Sequence, residues 1–313
     1  MSDQTTQSRC RPEERNQMNK QFLQVLDSID NIGQIKHRDV LIANAQNLGQ
    51  RNILKDDVNK LRDEFVGRDC IVVSAGPSIL RENTLSRLNE ANKSSETAIV
   101  CMDASLIRLL KLGVVPDYCV VIDPHPTRML RWFGDPWIEE HTADDEYFIR
   151  QDLDVAFRDA SIKNNQENVE LLNQVGSKVK IICATTVDPK LVDRFLEIGF
   201  QCIYWFTPLV DDPDKVDSLT KYLYQLNGIS CMNTGGNVGC ASWIFANHVA
   251  QAKRVGAIGM DYSYYDDVPL SQTQTYTELM EWCDRGSLDE LFIRQTGIGG
   301  KIFYQDPTFY WYC

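Results

Sequence analysis

The run Cys70-Ile71-Val72-Val73-Ser74-Ala75-Gly76-Pro77-Ser78-Ile79-Leu80 constrains this chain more than any other stretch. A continuous β-branched segment with no polar alternation reads as a strand buried on both faces. Proline cannot donate to a sheet ladder, so the strand ends by Ser74 or Ala75. Gly76 allows close backbone approach to a ligand. Pro77 suits the first turn of a helix, where free N–H groups and the dipole favour an anion. Two readings follow: a phosphate-binding strand–turn–helix, or an ordinary strand-to-helix turn. The stretch is neither the three-glycine dinucleotide fingerprint nor a P-loop with its Lys-Ser/Thr pair.

The alternatives depend on what surrounds the turn. At 313 residues the chain suits one large α/β domain or a domain with additions. Its hydrophobic fraction of 43% supports a sizeable core, and 24% charged residues argue against global disorder. A net charge of −12 argues against a nucleic-acid partner, whose surface should be basic. It leaves room for a small anionic ligand, because backbone N–H groups can hold phosphate without net positive charge. No apolar run approaches the roughly 18 residues a membrane span needs. The polar N-terminus carries no signal-peptide apolar segment. The chain has 10 cysteines and no C-x-x-C pair. Cys70, Cys101, Cys119, Cys183 and Cys202 lie in or beside expected buried strands, as free cysteine does in a core. This predicts a reducing cytoplasm and no zinc site.

Taken in order, the chain opens with helical periodicity over Met18–Ile32 and again over Leu54–Phe65, with Gly67 past the second. These define an N-terminal helical appendage, residues 1–66, with no chemistry of its own. Strands then alternate with helices. The expected strands are Cys70–Ser74, Ala98–Met102, Tyr118–Ile122, Val179–Ala184, Cys202–Phe206 and Val255–Gly259. The expected helices are Ser105–Leu112, Lys190–Ile198, Val216–Leu226 and Val238–Ala252. This alternation predicts an α/β, Rossmann-like, mainly parallel sheet with helices on both faces, spanning 67–265. Residues 126–178 interrupt it as an inserted helical or lid segment, with acids such as Glu139-Glu140 that read as a solvated face. Residues 266–313 form an aromatic-rich extension, including a helical piece near Tyr276–Trp282. Such an end should pack onto the domain or onto a second subunit, so a homo-oligomer is compatible with it.

Ligands of open parallel sheets sit beyond the carboxyl ends of the strands. The residues following the strands are Ala75-Gly76-Pro77-Ser78, Asp103-Ala104-Ser105, Asp123-Pro124-His125, Thr185-Thr186, Thr207-Pro208 and Asp261-Tyr262-Ser263. Asp103 is a ligand for a ribose or base, or a helix cap. Asp123 is a Mg²⁺ or sugar-hydroxyl partner, or a turn residue. His125 is a site residue or a loop histidine. A second glycine-rich turn, Asn233-Thr234-Gly235-Gly236-Asn237, opens onto the helix from Val238. There Asn237 is an N-cap, or the turn is a second anion site. Gly239, Ala241, Ser242 and Ala246 let that helix lie close to the sheet. Two such turns in one chain favour a diphosphate or nucleotide between them.

The segments Val72-Val73-Ser74-Ala75-Gly76-Pro77-Ser78, Pro116-Asp117-Tyr118…Ile122-Asp123, Thr234-Gly235-Gly236-Asn237-Val238 and Ile258-Gly259-Met260-Asp261-Tyr262-Ser263 occur in one order. Together they resemble the domain shared by 6-hydroxymethylpterin diphosphokinases and motility-associated-factor (Maf) glycosyltransferases, over about Phe65 to Tyr265. Ser74 stands where that pattern more usually has glycine. The resemblance implies nucleotide binding by Ser74, Ala75, Gly76, Pro77, Ser78, Asp103, Asn233, Thr234, Gly235, Gly236 and Asn237, with Asp123, His125 and Asp261 as catalytic candidates. The glycosyltransferase branch implies a sugar of the nonulosonate type, a nucleotide-sugar donor and a protein or glycan acceptor. The diphosphokinase branch implies pyrophosphate transfer from ATP to a pterin acceptor, with Mg²⁺ on Asp123. No tightly bound cofactor is expected in the first branch. The N-terminal helices and long insertion fit the glycosyltransferase better. A non-catalytic nucleotide-binding or scaffold protein is the remaining reading.

Overall fold

The computed structural model describes residues 37–81, 88, 96–143, 155–270, 292–297 and 300–305. The expected helices at Met18–Ile32 and Tyr276–Trp282, and the aromatic end beyond residue 305, lie outside these. Residues 36–262 form one compact unit, and the described residues from Ser263 onward belong to a second.

In the first unit, β1 (Asp69–Val73), β2 (Thr97–Met102), β3 (Tyr118–Val121), β4 (Lys180–Ala184), β5 (Cys202–Leu209), β6 (Cys231–Asn233) and β7 (Arg254–Ile258) make a seven-stranded sheet. Its order is β6-β5-β4-β3-β2-β1-β7, and every pairing is parallel. The apolar runs of the sequence become strands for the expected reason. All of β3, and all but the first residue of β4, are buried, so both faces are covered. Cys70, Cys101, Cys119 and Cys183 are free thiols inside this core. β6 escaped sequence reading because it is only 3 residues long and two of them are exposed.

The connections are helical, as a parallel sheet requires. A helix over 37–50 (α1) precedes the sheet, and a short 3₁₀ turn, Val58–Leu61, stands where the longer helix Leu54–Phe65 was expected. Then come α2 (Ser78–Arg81), α3 (Asp103–Lys111), α4 (Pro126–Trp132), α5 (Ile138–Ala143), α6 (Val155–Val175), α7 (Pro189–Ile198), α8 (Leu219–Asn227) and α9 (Val238–Ile244). The inserted segment thus supplies α4, α5 and α6 between β3 and β4. Sequence punctuation explains the sharpest boundaries. α7 has Asp188 as N-cap, Pro189 in its first turn and Gly199 beyond its end at φ 71°. α8 runs from an N-cap at Ser218 to Gly228 at φ 66°.

α9 crosses from β6, at one edge, to β7, at the other, packing over β1, β2 and β3. Its inward side is Gly239, Ala241 and Ser242, all buried, which is how a helix approaches a sheet closely. It continues as a π-helical turn, Phe245–Val249, closed by the Ala250 N–H on the Phe245 carbonyl at 2.9 Å. Phe245 there meets Phe65 and Tyr118 with ring centroids 5.9 and 5.4 Å apart. In the second unit, β8 (Tyr264–Tyr265), β10 (Ile302–Gln305) and β9 (Ile293–Thr296) form a three-stranded antiparallel sheet in that order.

Candidate functional site

The strand order has one reversal. The chain lays down β1 to β6 in one direction, then returns to place β7 on the other side of β1. Order therefore reverses between β1 and β7, and the crevice at such a switch point is where open α/β sheets bind ligands. The turn after β1 and the loop after β7 lie at that place.

The β1 turn is bonded on every side. Ser74 N–H donates to the Ile258 carbonyl (2.9 Å) and Gly76 N–H to the Gly259 carbonyl (2.8 Å). The Ser74 carbonyl accepts from the Ser105 hydroxyl of α3 at 2.7 Å, and the Ala75 carbonyl from Arg108 Nη1 at 3.4 Å. Ser78 gives both its N–H (2.7 Å) and its hydroxyl (2.6 Å) to the two carboxylate oxygens of Asp261. A Cβ on Gly76 would stand 2.5 Å from the Gly259 carbonyl and 2.6 Å from Asp261 Oδ2. Glycine is needed at 76 because the β7 exit loop presses against it. The donors that sequence reading reserves for phosphate are engaged by Ile258, Gly259 and Asp261.

The second turn lies across from the first. Gly235 and Gly236 take φ 58° and 83°, and their N–H groups donate to Asn233 Oδ1 (2.8 Å) and Thr234 Oγ1 (3.4 Å). Asn237 caps α9 by accepting the Cys240 N–H at 2.9 Å. The preceding N–H groups, of Val238 and Gly239, have no intrahelical acceptor by the geometry of a helix start. A Cβ on Gly239 would lie 2.8 Å from Ser74 Oγ, so the start of α9 packs closely against the β1 turn there. Ser74 is 4% exposed and its hydroxyl has no hydrogen-bond partner among the described residues. Tyr262 closes the group, its hydroxyl 2.9 Å from Cys240 Sγ and 3.2 Å from Asn237 Oδ1. Its backbone is left-handed, φ 49°, an outlier for a bulky residue.

The remaining candidates occupy other exits. Asp103 is buried in the first turn of α3, with Oδ1 accepting the Ala104 N–H at 2.6 Å. Asp123, at the β3 exit, accepts the His125 N–H at 2.9 Å, a turn-forming bond. Burial raises the Asp188 carboxyl, with Asp193 adding to the rise and the Lys190 N–H, Lys190 and nearby His125 pulling the other way. Thr185 and Thr186, at the β4 exit, are buried, and neither hydroxyl has a partner among the described residues. Thr207 and Pro208 fall inside the longer β5, where they pair with β6. β3 and β7 are three strand spacings apart, about 14 Å, so Asp123 and His125 do not join Asp261 in one cluster. No group of three His, Cys, Asp or Glu among the described residues could hold a metal. Asp103, Asp123 and Asp261 stand at separate strand exits, the first two on local backbone N–H groups and the third on Ser78. This donor set does not fit a protein-held metal ion.

Five residues gain a role at the site only in the structure: Ser105, Arg108, Tyr262, Cys240 and Asn44. Ser105 and Arg108 sit in a helix whose apolar residues alone set the pattern, yet both reach the β1 turn. Burial lowers the Arg108 pKa, so its charge sits in a partly desolvated place. Tyr262 and Cys240 bridge loops far apart in sequence. α1 contributes Asn44, buried, whose amide donates to the Thr186 carbonyl at 2.9 Å and the Pro124 carbonyl at 3.5 Å. The N-terminal segment therefore reaches the carboxyl rim of the sheet. Polar residues on an otherwise apolar helix face, Asn44 and Ser105 among them, are the only local signal of this.

A family model described as 6-hydroxymethylpterin diphosphokinase MptE-like matches residues 42–133. That stretch contains the β1 turn, Asp103, Asp123 and His125, but neither the second turn nor Asp261. No curated protein matches the chain at a significant level. Among solved structures the chain is similar to the MAf glycosyltransferase from Magnetospirillum magneticum AMB-1, with a TM-score of 0.51 at 13% identity. The likeness covers 88% of this chain and 33% of that one. This chain thus spans about a third of that protein's length, and at that identity the likeness is one of fold. No helix among the described residues is long and apolar enough to cross a membrane. The chain thus resembles both the MptE-like family and the Maf glycosyltransferases, on a Rossmann-like parallel sheet.

Proposed function

We propose that this protein is a nucleotide-dependent transferase that moves a sugar, of the nonulosonate type, from a nucleotide-sugar donor to a hydroxyl of a protein or glycan. The observation that carries the reading is the meeting of both glycine-rich turns with the β7 exit loop at the β1/β7 switch point. In such a transfer the bond from the anomeric carbon to the nucleotide phosphate breaks, and its electron pair leaves with the phosphate. The acceptor oxygen forms the new bond and loses its proton to a base. Ser74, the first N–H groups of α9 and the Arg108 guanidinium are suited to the departing negative charge. Asp103, at the neighbouring exit, suits the ribose. His125, two strand spacings from β1 and beside Asp188, is the base that suits the acceptor. Asp261, committed to Ser78, holds the turn.

The MptE-like match over 42–133 favours a second reading, transfer of pyrophosphate from ATP to a pterin alcohol, in which Mg²⁺ arrives with the nucleotide. Calorimetry with CMP, CDP, ATP and AMP, with and without Mg²⁺, separates the two. CMP or CDP binding without a metal requirement supports glycosyl transfer. Mg²⁺-dependent ATP binding, with AMP released in the presence of the pterin alcohol, supports the second reading. Binding to none of the four defeats both, and leaves a scaffold protein.

A further inference from the structure

We propose that the β7 exit loop, Gly259–Tyr262, is a latch: it closes the β1 turn with a built-in anion, Asp261, which a phosphate-bearing ligand displaces. The proposal rests on the nucleotide-binding reading above and adds how entry to that site is controlled. Asp261 uses both carboxylate oxygens on Ser78, at 2.7 Å from the N–H and 2.6 Å from the hydroxyl. These donors point where an anion belongs, and two anions cannot share them. The carboxylate is held in place by the loop behind it. Gly259 has φ 68° and accepts the Gly76 N–H at 2.8 Å, which sets Asp261 against the turn.

A separate observation points to a ligand in the same seam. The Ser74 hydroxyl, on a residue only 4% exposed, has no hydrogen-bond partner among the described residues. A buried hydroxyl left unbonded is costly, so such groups call for an explanation. This one faces Gly239, between the two turns, where a Cβ would come within 2.8 Å of it. A phosphate oxygen admitted to the seam supplies the missing acceptor.

The latch also carries the means to open. Tyr262, next to Asp261, is held at φ 49° while its hydroxyl bridges Cys240 Sγ and Asn237 Oδ1. Backbone strain of this kind persists only where the surroundings enforce it. Release of Asp261 from Ser78 lets Tyr262 relax to negative φ, which offsets part of the cost of breaking the carboxylate bonds. One movement would thus loosen both turns, because Asp261 engages the first and Tyr262 the second.

The test is calorimetric titration of inorganic pyrophosphate into the wild-type protein and into Asp261→Asn, Asp261→Ser and Asp261→Glu. The first two are neutral and the third keeps the charge. Thermal unfolding checks that each variant folds. The neutral variants should bind pyrophosphate about tenfold or more tightly than wild type, and Asp261→Glu should not. Equal or weaker binding by the neutral variants overturns the latch. If neither neutral variant folds, backbone hydrogen exchange of the wild-type protein decides. Saturating pyrophosphate should speed exchange across residues 259–262, and unchanged or slower exchange there overturns the proposal. Failure of wild type to bind any nucleotide defeats the function proposed above. Equal pyrophosphate affinity of wild type and neutral variants defeats the latch alone.

Discussion

Gly76→Ala places a methyl group 2.5 Å from the Gly259 carbonyl oxygen and 2.6 Å from Asp261 Oδ2. The φ of Gly76 is not in the left-handed region, so alanine fits the backbone conformation and its cost is steric. The carbonyl belongs to a loop anchored by β7 and cannot swing aside as a flexible side chain would. Forcing a methyl into a packed contact costs about 1–3 kcal/mol. Relief by moving the loop loses the Gly76 N–H bond, about 1 kcal/mol, and loosens the charge-assisted Ser78–Asp261 pair, about 1.5–3 kcal/mol. The second route sums to about 2.5–4 kcal/mol, so the structure takes the cheaper and the loss is about 1–3 kcal/mol. For a unit of this size that lowers the melting temperature by about 2–12 °C. Gly256→Ala is the control, because a Cβ there meets nothing within 4 Å, and it should stay within about 0.5 kcal/mol of wild type. Urea unfolding of the two variants gives the comparison. A Gly76→Ala protein as stable as Gly256→Ala would refute the claim that the β7 loop dictates glycine at this turn.

Ser105→Ala removes the hydroxyl that holds the buried Ser74 carbonyl at 2.7 Å, and should cost about 1–2 kcal/mol in urea unfolding. Asp135→Ala deletes the buried acceptor of His141 Nδ1 (2.6 Å) and of the Trp137 N–H (2.9 Å), so the start of α5 should loosen at a cost of about 2–4 kcal/mol. Burial raises the Asp211 carboxyl, but the N–H groups of Thr220 and Leu219 and the hydroxyls of Thr220 and Ser218 outweigh it and hold it below the ordinary value. A depressed carboxylate stabilises above its unfolded pKa, about 3.9, and that contribution is lost as pH falls through the folded value. The urea midpoint should therefore fall on acidification through this range, and less steeply in Asp211→Ala. Burial pushes the Cys70 thiol up to about 12, and Cys101, Cys119 and Cys183 are equally enclosed. None of these four should react with a disulfide reagent until the protein unfolds.

The sheet was legible because its strands announce themselves locally. Cys70–Val73, Val179–Ala184 and Cys202–Phe206 are apolar runs bounded by turn residues, and nothing distant is needed to recognise them. The helices α7 and α8 likewise carry their own start and stop signals in Asp188, Pro189, Gly199, Ser218 and Gly228. α1 and β6 were missed for the opposite reason. β6 is a strand because Thr207–Leu209 offers it a ladder, and its own three residues have no distinguishing pattern. Sequence reading singles out the glycines of both turns for a ligand, and in the structure Gly76 is also pressed by the Gly259 carbonyl and the Asp261 carboxylate. A ligand and a neighbouring loop make the same demand for a missing side chain, and sequence alone cannot tell which one presses.

That ambiguity has a topological origin. Ser78 and Asp261 are 183 positions apart, and they meet only because β7 crosses the sheet to lie beside β1. In β1–β6 each strand pairs with its sequence neighbour, so adjacent exits belong to consecutive connections, bridged by Ser105 and Arg108 at the β1 turn and by Asn44 between the Pro124 and Thr186 carbonyls. Asp123 with His125, and Thr185 with Thr186, belong to that row. The last crossing joins the first strand's exit to the last strand's, and it brings α9 and the second glycine turn with it. The unit's last strand therefore sets the geometry of the turn after its first. Closing such a long loop is entropically unfavourable and must be offset by contacts made on arrival. Here those contacts are the β1–β7 ladder, Asp261 on Ser78 and Tyr262 on Asn237 and Cys240. The same bonds that complete the sheet thus also shut the switch-point turn, so stability of the sheet edge and access to the site are coupled through the loop 259–262.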